Sequence, residues 1–142
     1  MAHVQTRLPT VDRLLMELIA LAGQAAHVPM ALELLIDDIL TRIWSIKAGG
    51  SNWLVVSAML PKFYSIYPLF IRAACPADFN SVEDQNAKSE MLWVPDTGRY
   101  IALAKVPAEV LLDQKAIMDT ILDTADMADN FRQTRCGKAY IL

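Results

Sequence analysis

Four residues, Pro95-Asp96-Thr97-Gly98, constrain this chain more than any other stretch. Pro presets φ for a type I turn, Asp can bond the backbone ahead of it, and Gly supplies the positive φ that leaves the turn. The flanking segments, Met91 to Val94 and Arg99 to Val106, are rich in β-branched and aromatic residues, so the whole predicts a hairpin. Neither segment alternates cleanly between apolar and polar, which implies that both sheet faces are at least partly covered. Pro107 ends the second strand. After a short apolar link, Val110-Leu111-Leu112, Asp113 is a helix N-cap, and Ile117, Met118, Ile121, Leu122, Ala125 and Ala128 recur at helical steps. Asp119, Asp123, Asp126 and Asp129 form the wet side. Arg132 and Arg135 lie where cations complement the helix dipole, and Gly137 can stop the helix.

The first half reads as two helices. Residues 1–9 are a loose leader, and Thr10 caps a helix with Val11, Leu14, Leu15, Leu18, Ile19 and Ala22 on one face, loosened at Gly23. A second helix is expected from Pro29, with Leu32, Leu35, Ile36, Ile39, Ile43 and Ile46 inward and Glu33, Asp37, Asp38, Thr41 and Arg42 largely outward. Gly49-Gly50 would end it. The run from Ser51 to Cys75 is apolar enough to raise a membrane span, but Pro61-Lys62 and Pro68 cut it into pieces too short to cross a bilayer. Two buried strands, Trp53 to Met59 and Pro68 to Ala74, fit better, although a helix over Asn52 to Leu60 stays open because periodicity does not separate the two at this length. Pro76 to Glu90 is a polar loop or short helix, and Ser81-Val82-Glu83-Asp84 places an acid three residues after a serine, the capping-box spacing. With no repeat or composition break, the chain is expected to be one domain over 1–142. The fold class is α+β: a small, mostly antiparallel sheet with two N-terminal helices and one C-terminal helix packed against it.

Composition narrows the function. Hydrophobic residues make up 54% of the chain and charged ones 20%, so its surface should be poor in charge and in need of a covering partner. A net charge of −3 gives no electrostatic footprint for nucleic acid. Nothing secretory precedes Cys75 and Cys136, since Asp12, Arg13 and Glu17 break the only early apolar run; two thiols in a cytoplasmic protein are expected.

Candidate chemistry is thin. His3 lies in the leader and His27 between the expected helices, neither near a Cys or carboxylate at ligand spacing. Glu33, Asp37 and Asp38, and Asp119, Asp123 and Asp126, cluster opposite apolar stripes without a Glu-x-x-His, as solvated faces do. There is no nucleophile-elbow motif, and Gly49-Gly50-Ser51 has neither P-loop nor Rossmann spacing. Arg132, Arg135 and Lys138 are explained by the helix dipole. The two expected helices are no helix-turn-helix reader, because Glu33, Asp37 and Asp38 would repel phosphate. No catalytic residue, metal or cofactor is assigned.

The hairpin turn Asp96-Thr97-Gly98-Arg99, the strand Tyr100 to Val106 and the segment Ala125-Asp126-Met127-Ala128-Asp129 resemble the C-terminal part of type III secretion chaperones and of the YbjN-like proteins that share their fold. The family pattern has one N-terminal helix followed directly by three strands, whereas two helices are expected here before the first strand. The resemblance implies a non-enzymatic homodimer whose apolar surface holds an extended segment of another protein, an effector-like client. Aromatic residues dominate both cores and interfaces, and Trp53, Leu54, Tyr64, Tyr67, Trp93 and Tyr100 are the candidate partner-binding residues. The alternative is a small-molecule-binding sensory domain with an apolar pocket between sheet and helices.

Overall fold

The computed structural model describes residues 10–23, 31–61, 71–83 and 86–133. Thr10–Leu21 forms helix α1; Ala31–Ile36, Ile39–Ala48 and Ser51–Met59 form strands β1, β2 and β3; Pro76–Asn80 forms the short helix α2. Strands β4, Lys88–Val94, and β5, Arg99–Pro107, follow, and a 3-10 turn at Ala108–Val110 leads into helix α3, Gln114–Phe131. The strands make one sheet in the order β1-β2-β3-β5-β4, antiparallel at every pairing. Helices α1 and α3 pack on the same face through Val11, Leu15, Ile19, Ile117 and Ile121, which meet Leu54 and Val56 of β3. The class is α+β, with the long helices gathered on one side of the sheet.

The C-terminal half follows its sequence closely. Val94 pairs with Arg99 around the four-residue turn, where Gly98 adopts φ 66° and donates its N–H to the Val94 carbonyl at 2.9 Å. Strand β5 is buried on both faces: Tyr100, Ala102 and Ala104 lie in the clusters on the helix side, Ile101 and Leu103 in the cluster on the other. The Asp113 carboxylate caps α3 by accepting the Ala116 N–H at 2.9 Å. Ile117, Ile121, Thr124, Ala125 and Ala128 are its buried stripe. Leu122, expected inward, is 44% exposed, because one residue beyond Ile121 turns the side chain by about 100°. Thr124 holds the stripe instead, its hydroxyl bonded to the Thr120 carbonyl at 2.7 Å, so no unmet donor is buried there.

Residues 31–48 overturn the expected second helix: they form the β1–β2 hairpin. The inward residues are Leu32, Leu34 and Ile36 on β1 and Ile39, Thr41 and Ile43 on β2. Because a two-residue turn shifts the alternation by one, the inward set 32, 36, 39, 43 is spaced four, three, four, which imitates a helical stripe. What decides for strand is the density of β-branched side chains, Ile36, Ile39, Thr41, Ile43 and Ile46, together with two turns able to reverse the chain. Asp37 and Asp38 take φ 48° and 64°, and Gly49 and Gly50 take 60° and 77°, the paired positive φ of the type I′ hairpin turn. Thr41, expected outward, is fully buried, while Leu35, expected inward, is 72% exposed on the opposite face.

Ser51–Met59 is strand, not helix. The expected strand Pro68 to Ala74 falls partly outside the described residues; within them, Ala73 makes only a single parallel bridge to Trp93. The short helix lies ahead of Ser81, which is its C-cap. Pro76 suits the first helical turn, and Asp78 accepts the Cys75 N–H at 2.7 Å, so helix initiation is complete before the serine is reached. The leader 1–9, His27, Tyr64, Tyr67, Arg135, Cys136, Gly137 and Lys138 lie outside the described residues. Among the described residues no helix is long and apolar enough to cross a membrane.

The stripe of α3 gives a direct test. Ile121→Ala is expected to cost about 3 kcal/mol of unfolding free energy, whereas Leu122→Ala, one residue on, should change it by about 0.5 kcal/mol or less. Urea denaturation of the two variants measures the difference, and equal losses would mean that the helix is rotated.

Candidate functional site

Among the described residues, the two faces of the sheet are covered unequally. On the side away from α1 and α3, Val55, Leu92, Ile101 and Leu103 are buried beneath Ala74 and Phe79 of the α2 region. That cover stops at β2. Leu35 and Leu40 on the outer face of the β1–β2 hairpin are 72% and 42% exposed, and they pair with each other across the strands.

Trp44 marks the boundary between covered and bare surface. Its indole N–H donates to the Phe79 carbonyl at 3.1 Å, and the two rings lie 6.4 Å apart, tilted by 33°, so a β2 side chain tethers α2 to the sheet. Beside this tether a groove of about 420 Å³ opens over Leu40, Met59 and Ala31, with Glu33 and Arg42 on its rim. The Arg42 guanidinium lies 5.8 Å from the centre of the Trp44 ring, within range of a cation–π attraction. The groove is apolar with a few polar groups at its margin, the character of surfaces that take an apolar side chain.

The residues expected to bind a partner are placed differently. Trp53, Leu54 and Tyr100 are core, at 1%, 0% and 4% exposure. Trp93 is half-buried and stacks on Tyr100 at 4.8 Å, which in turn stacks on Phe131 at 4.9 Å. Its main chain is engaged too, donating to the Arg72 carbonyl and accepting from the Ala74 N–H. The surface residues Leu35, Leu40, Arg42 and Trp44 were hidden in the sequence because the segment imitates a helix. The signal that finds them is Gly49-Gly50, a hairpin dipeptide as readily as a helix stop.

Comparison with protein-family models, curated proteins and solved structures finds no match.

A second, charged cleft of about 180 Å³ lies between α2 and β4. Arg72 makes a two-pronged pair with Asp78, at 2.7 and 3.1 Å, and reaches Glu90 at 2.8 Å. Lys88 lies 3.4 Å from Glu90, and Lys105 donates to the Ser81 carbonyl at 2.8 Å. The hydrogen bonds from Arg72 hold the Asp78 carboxyl well below the usual carboxylate range, and the same pairing with Asp78 and Glu90 raises Arg72. Opposite charges satisfy one another here, so the cleft reads as a brace for α2. On the helix side, a further cleft of about 190 Å³ separates Ser89 from Thr120 and Thr124. The carboxylates of α3 stand on its wet side: Asp119 pairs with Lys115 at 2.8 Å, and Asp123 and Asp126 are exposed. Among the described residues no group of three His, Cys, Asp or Glu is placed to hold a metal ion.

The brace carries a pH signature. Because the folded-state pKa of Asp78 is depressed, its stabilisation is complete above the unfolded value near ~4 and is lost as pH falls through the folded value. Asp78→Asn is expected to lower stability by about 1 kcal/mol at neutral pH, with the gap to the parent closing as the medium is acidified below the ordinary carboxylate range. Thermal melts of both proteins across that range read it; a gap that does not change with pH would assign the loss to packing instead.

Proposed function

We propose that this protein is a non-enzymatic polypeptide-binding module, chaperone- or adaptor-like, that acts as a homodimer and holds an extended segment of another protein in the cytoplasm. The observation that carries the reading is the outer edge of β1, which pairs with no strand among the described residues. Ile36 and Ile39 flank the two-residue turn as partners, and the residues next to such a turn exchange both main-chain bonds. Leu34 and Leu32 therefore direct their main-chain groups at β2, while Leu35, Glu33 and Ala31 direct theirs outward. An unpaired row of this kind is what an added strand uses, with pockets for alternate side chains giving selectivity.

The order of elements supports the same reading. Among the described residues one helix precedes three strands, and a strand, turn, strand and helix come last, as the resemblance to type III secretion chaperones implies; the short helix α2 between them is no part of that pattern. The expected departure from it, a second helix before the first strand, is absent among the described residues, because residues 31–48 are the hairpin. The exposed free thiol of Cys75 suits a reducing compartment.

Leu35→Pro is the informative variant, since it removes an outward N–H and leaves the bonds to β2 in place. Peptides with alternating apolar residues, selected from a random-peptide display library on the parent protein, are expected to lose at least about tenfold in affinity for the Leu35→Pro protein. A library that yields no binder, or binders indifferent to the proline, would rule out the edge as the binding element.

A further inference from the structure

The outer face of the β1–β2 hairpin presents three cross-strand pairs in a row: Leu35 with Leu40, Glu33 with Arg42, and Ala31 with Trp44. An opposite-charge pair thus sits between two apolar pairs, and one of those sets a very small side chain beside a very large one. Leu35, Glu33, Leu40 and Arg42 are exposed, and Ala31 and Trp44 are half-buried.

We infer that this face takes a second copy of the same chain, stacked face to face about a two-fold axis that runs along the strands between β1 and β2. The inference rests on the homodimer proposed above and names its surface. In an isologous contact, if one residue meets a second, the second meets the first. Rotation about that axis lays β1 over the partner's β2, so Glu33 faces the partner's Arg42 and Arg42 faces the partner's Glu33. Leu35 then covers the partner's Leu40, and Trp44 stands over the partner's Ala31, large side chain against small. The other in-plane axis, across the strands, would set Glu33 against the partner's Glu33 and Arg42 against the partner's Arg42. Like charges brought together in an interface oppose association, so the charge pattern selects the first arrangement.

The surrounding chemistry is compatible with this. Glu33 already interacts within its own chain, and a carboxylate has lone pairs for a further donor. A guanidinium held over an indole, as Arg42 is over Trp44, uses its face in the stack and keeps N–H groups at its edge for a carboxylate. Strand addition at β1 uses main-chain groups in the plane of the sheet, whereas these side chains project across it, so the two contacts draw on different groups of the hairpin.

Sedimentation equilibrium at roughly 100 µM protein tests the surface by charge reversal. The parent is expected to be a dimer. Arg42→Glu and Glu33→Arg, each alone, should weaken it by about tenfold or more, and an equimolar mixture of the two single variants should recover a dimer, because every facing pair is again opposite in sign. The double variant Glu33→Arg/Arg42→Glu should also dimerise. A parent that dimerises but is indifferent to the reversals would overturn this surface and leave the homodimer standing on another one. Reversal variants that stay monomeric on mixing would overturn it as well. A monomeric parent would overturn both the surface and the homodimer, while peptide binding at the β1 edge would be judged separately by the display experiment.

Discussion

A strand that is apolar at consecutive positions must be covered on both sides. Trp53, Leu54, Val55 and Val56 of β3 are each at most 1% exposed, and each side chain of this kind contributes about 1.5–3 kcal/mol when buried. Two long helices cover one face. Among the described residues the other has only α2 and its flanking residues, which reach as far as Trp44. The unequal cover follows from the lengths of the elements: α2 has five residues, about 7.5 Å of helix, against strands spaced about 4.8 Å apart. It cannot roof five of them. The buried strand therefore forces a two-sided cover, and the shortness of one cover leaves the outer face of the β1–β2 hairpin bare among the described residues. The indole N–H of Trp53, buried without an acceptor among the described residues, shows how strongly burial dominates here, since leaving such a donor unmet costs about 1–3 kcal/mol.

The bare hairpin is nevertheless held in one orientation. Its turn places two aspartates at positive φ, a conformation that costs L-residues energy unless the surroundings stabilise it. Asp38 accepts two hydrogen bonds from Arg132 at the end of α3, at 2.8 and 3.0 Å, and Arg132 also pairs with Asp129. Burial works against the charge on Arg132, but the bonds to Asp38 and Asp129 outweigh it and raise its pKa. At the far end, Ser45 donates to Asp12 of α1. The hairpin is thus fastened to both helices on the covered side.

How much of this was legible depends on phase. From Met91 to Phe131 the turn chemistry, the Asp113 cap and the helical stripe all agree, and the elements appear where the residues place them. Residues 31–48 were misread because strand alternation interrupted by a two-residue turn produces a helical spacing, and an Asp-Asp pair at positive φ is an uncommon choice where Asn-Gly is usual. Reading that segment as a helix put Leu35 inside and Thr41 outside, the reverse of what is found. The site suffered most from this. Trp53, Leu54 and Tyr100 stand out in the sequence as large or apolar residues, which is also why they are core; the strand alternation, not residue type, marks Leu35 and Leu40 as exposed.

Exposed apolar side chains alone argue little, because much of any protein surface is apolar. Leu21, Leu112 and Val110 are exposed at 75%, 75% and 59%, yet Leu21 closes α1 just before the left-handed Gly23 and the other two sit in or beside the 3-10 turn, where chain reversal leaves side chains outside. Leu35 and Leu40 differ in three respects. They are cross-strand neighbours, Leu40 lines a groove with an aromatic wall, and they lie on a hairpin whose outer edge pairs with no strand among the described residues. Natural sheets blunt such edges with Lys, Pro or a bulge, and β1, ALELLI, carries neither Lys nor Pro and pairs with β2 without a break in register. Its one charged residue, Glu33, is matched across the strand by Arg42, so the hairpin presents a nearly neutral outer face. The proposed contacts rest on this combination: a face whose charges oppose neither a second copy nor an extended chain, on a hairpin fastened from behind.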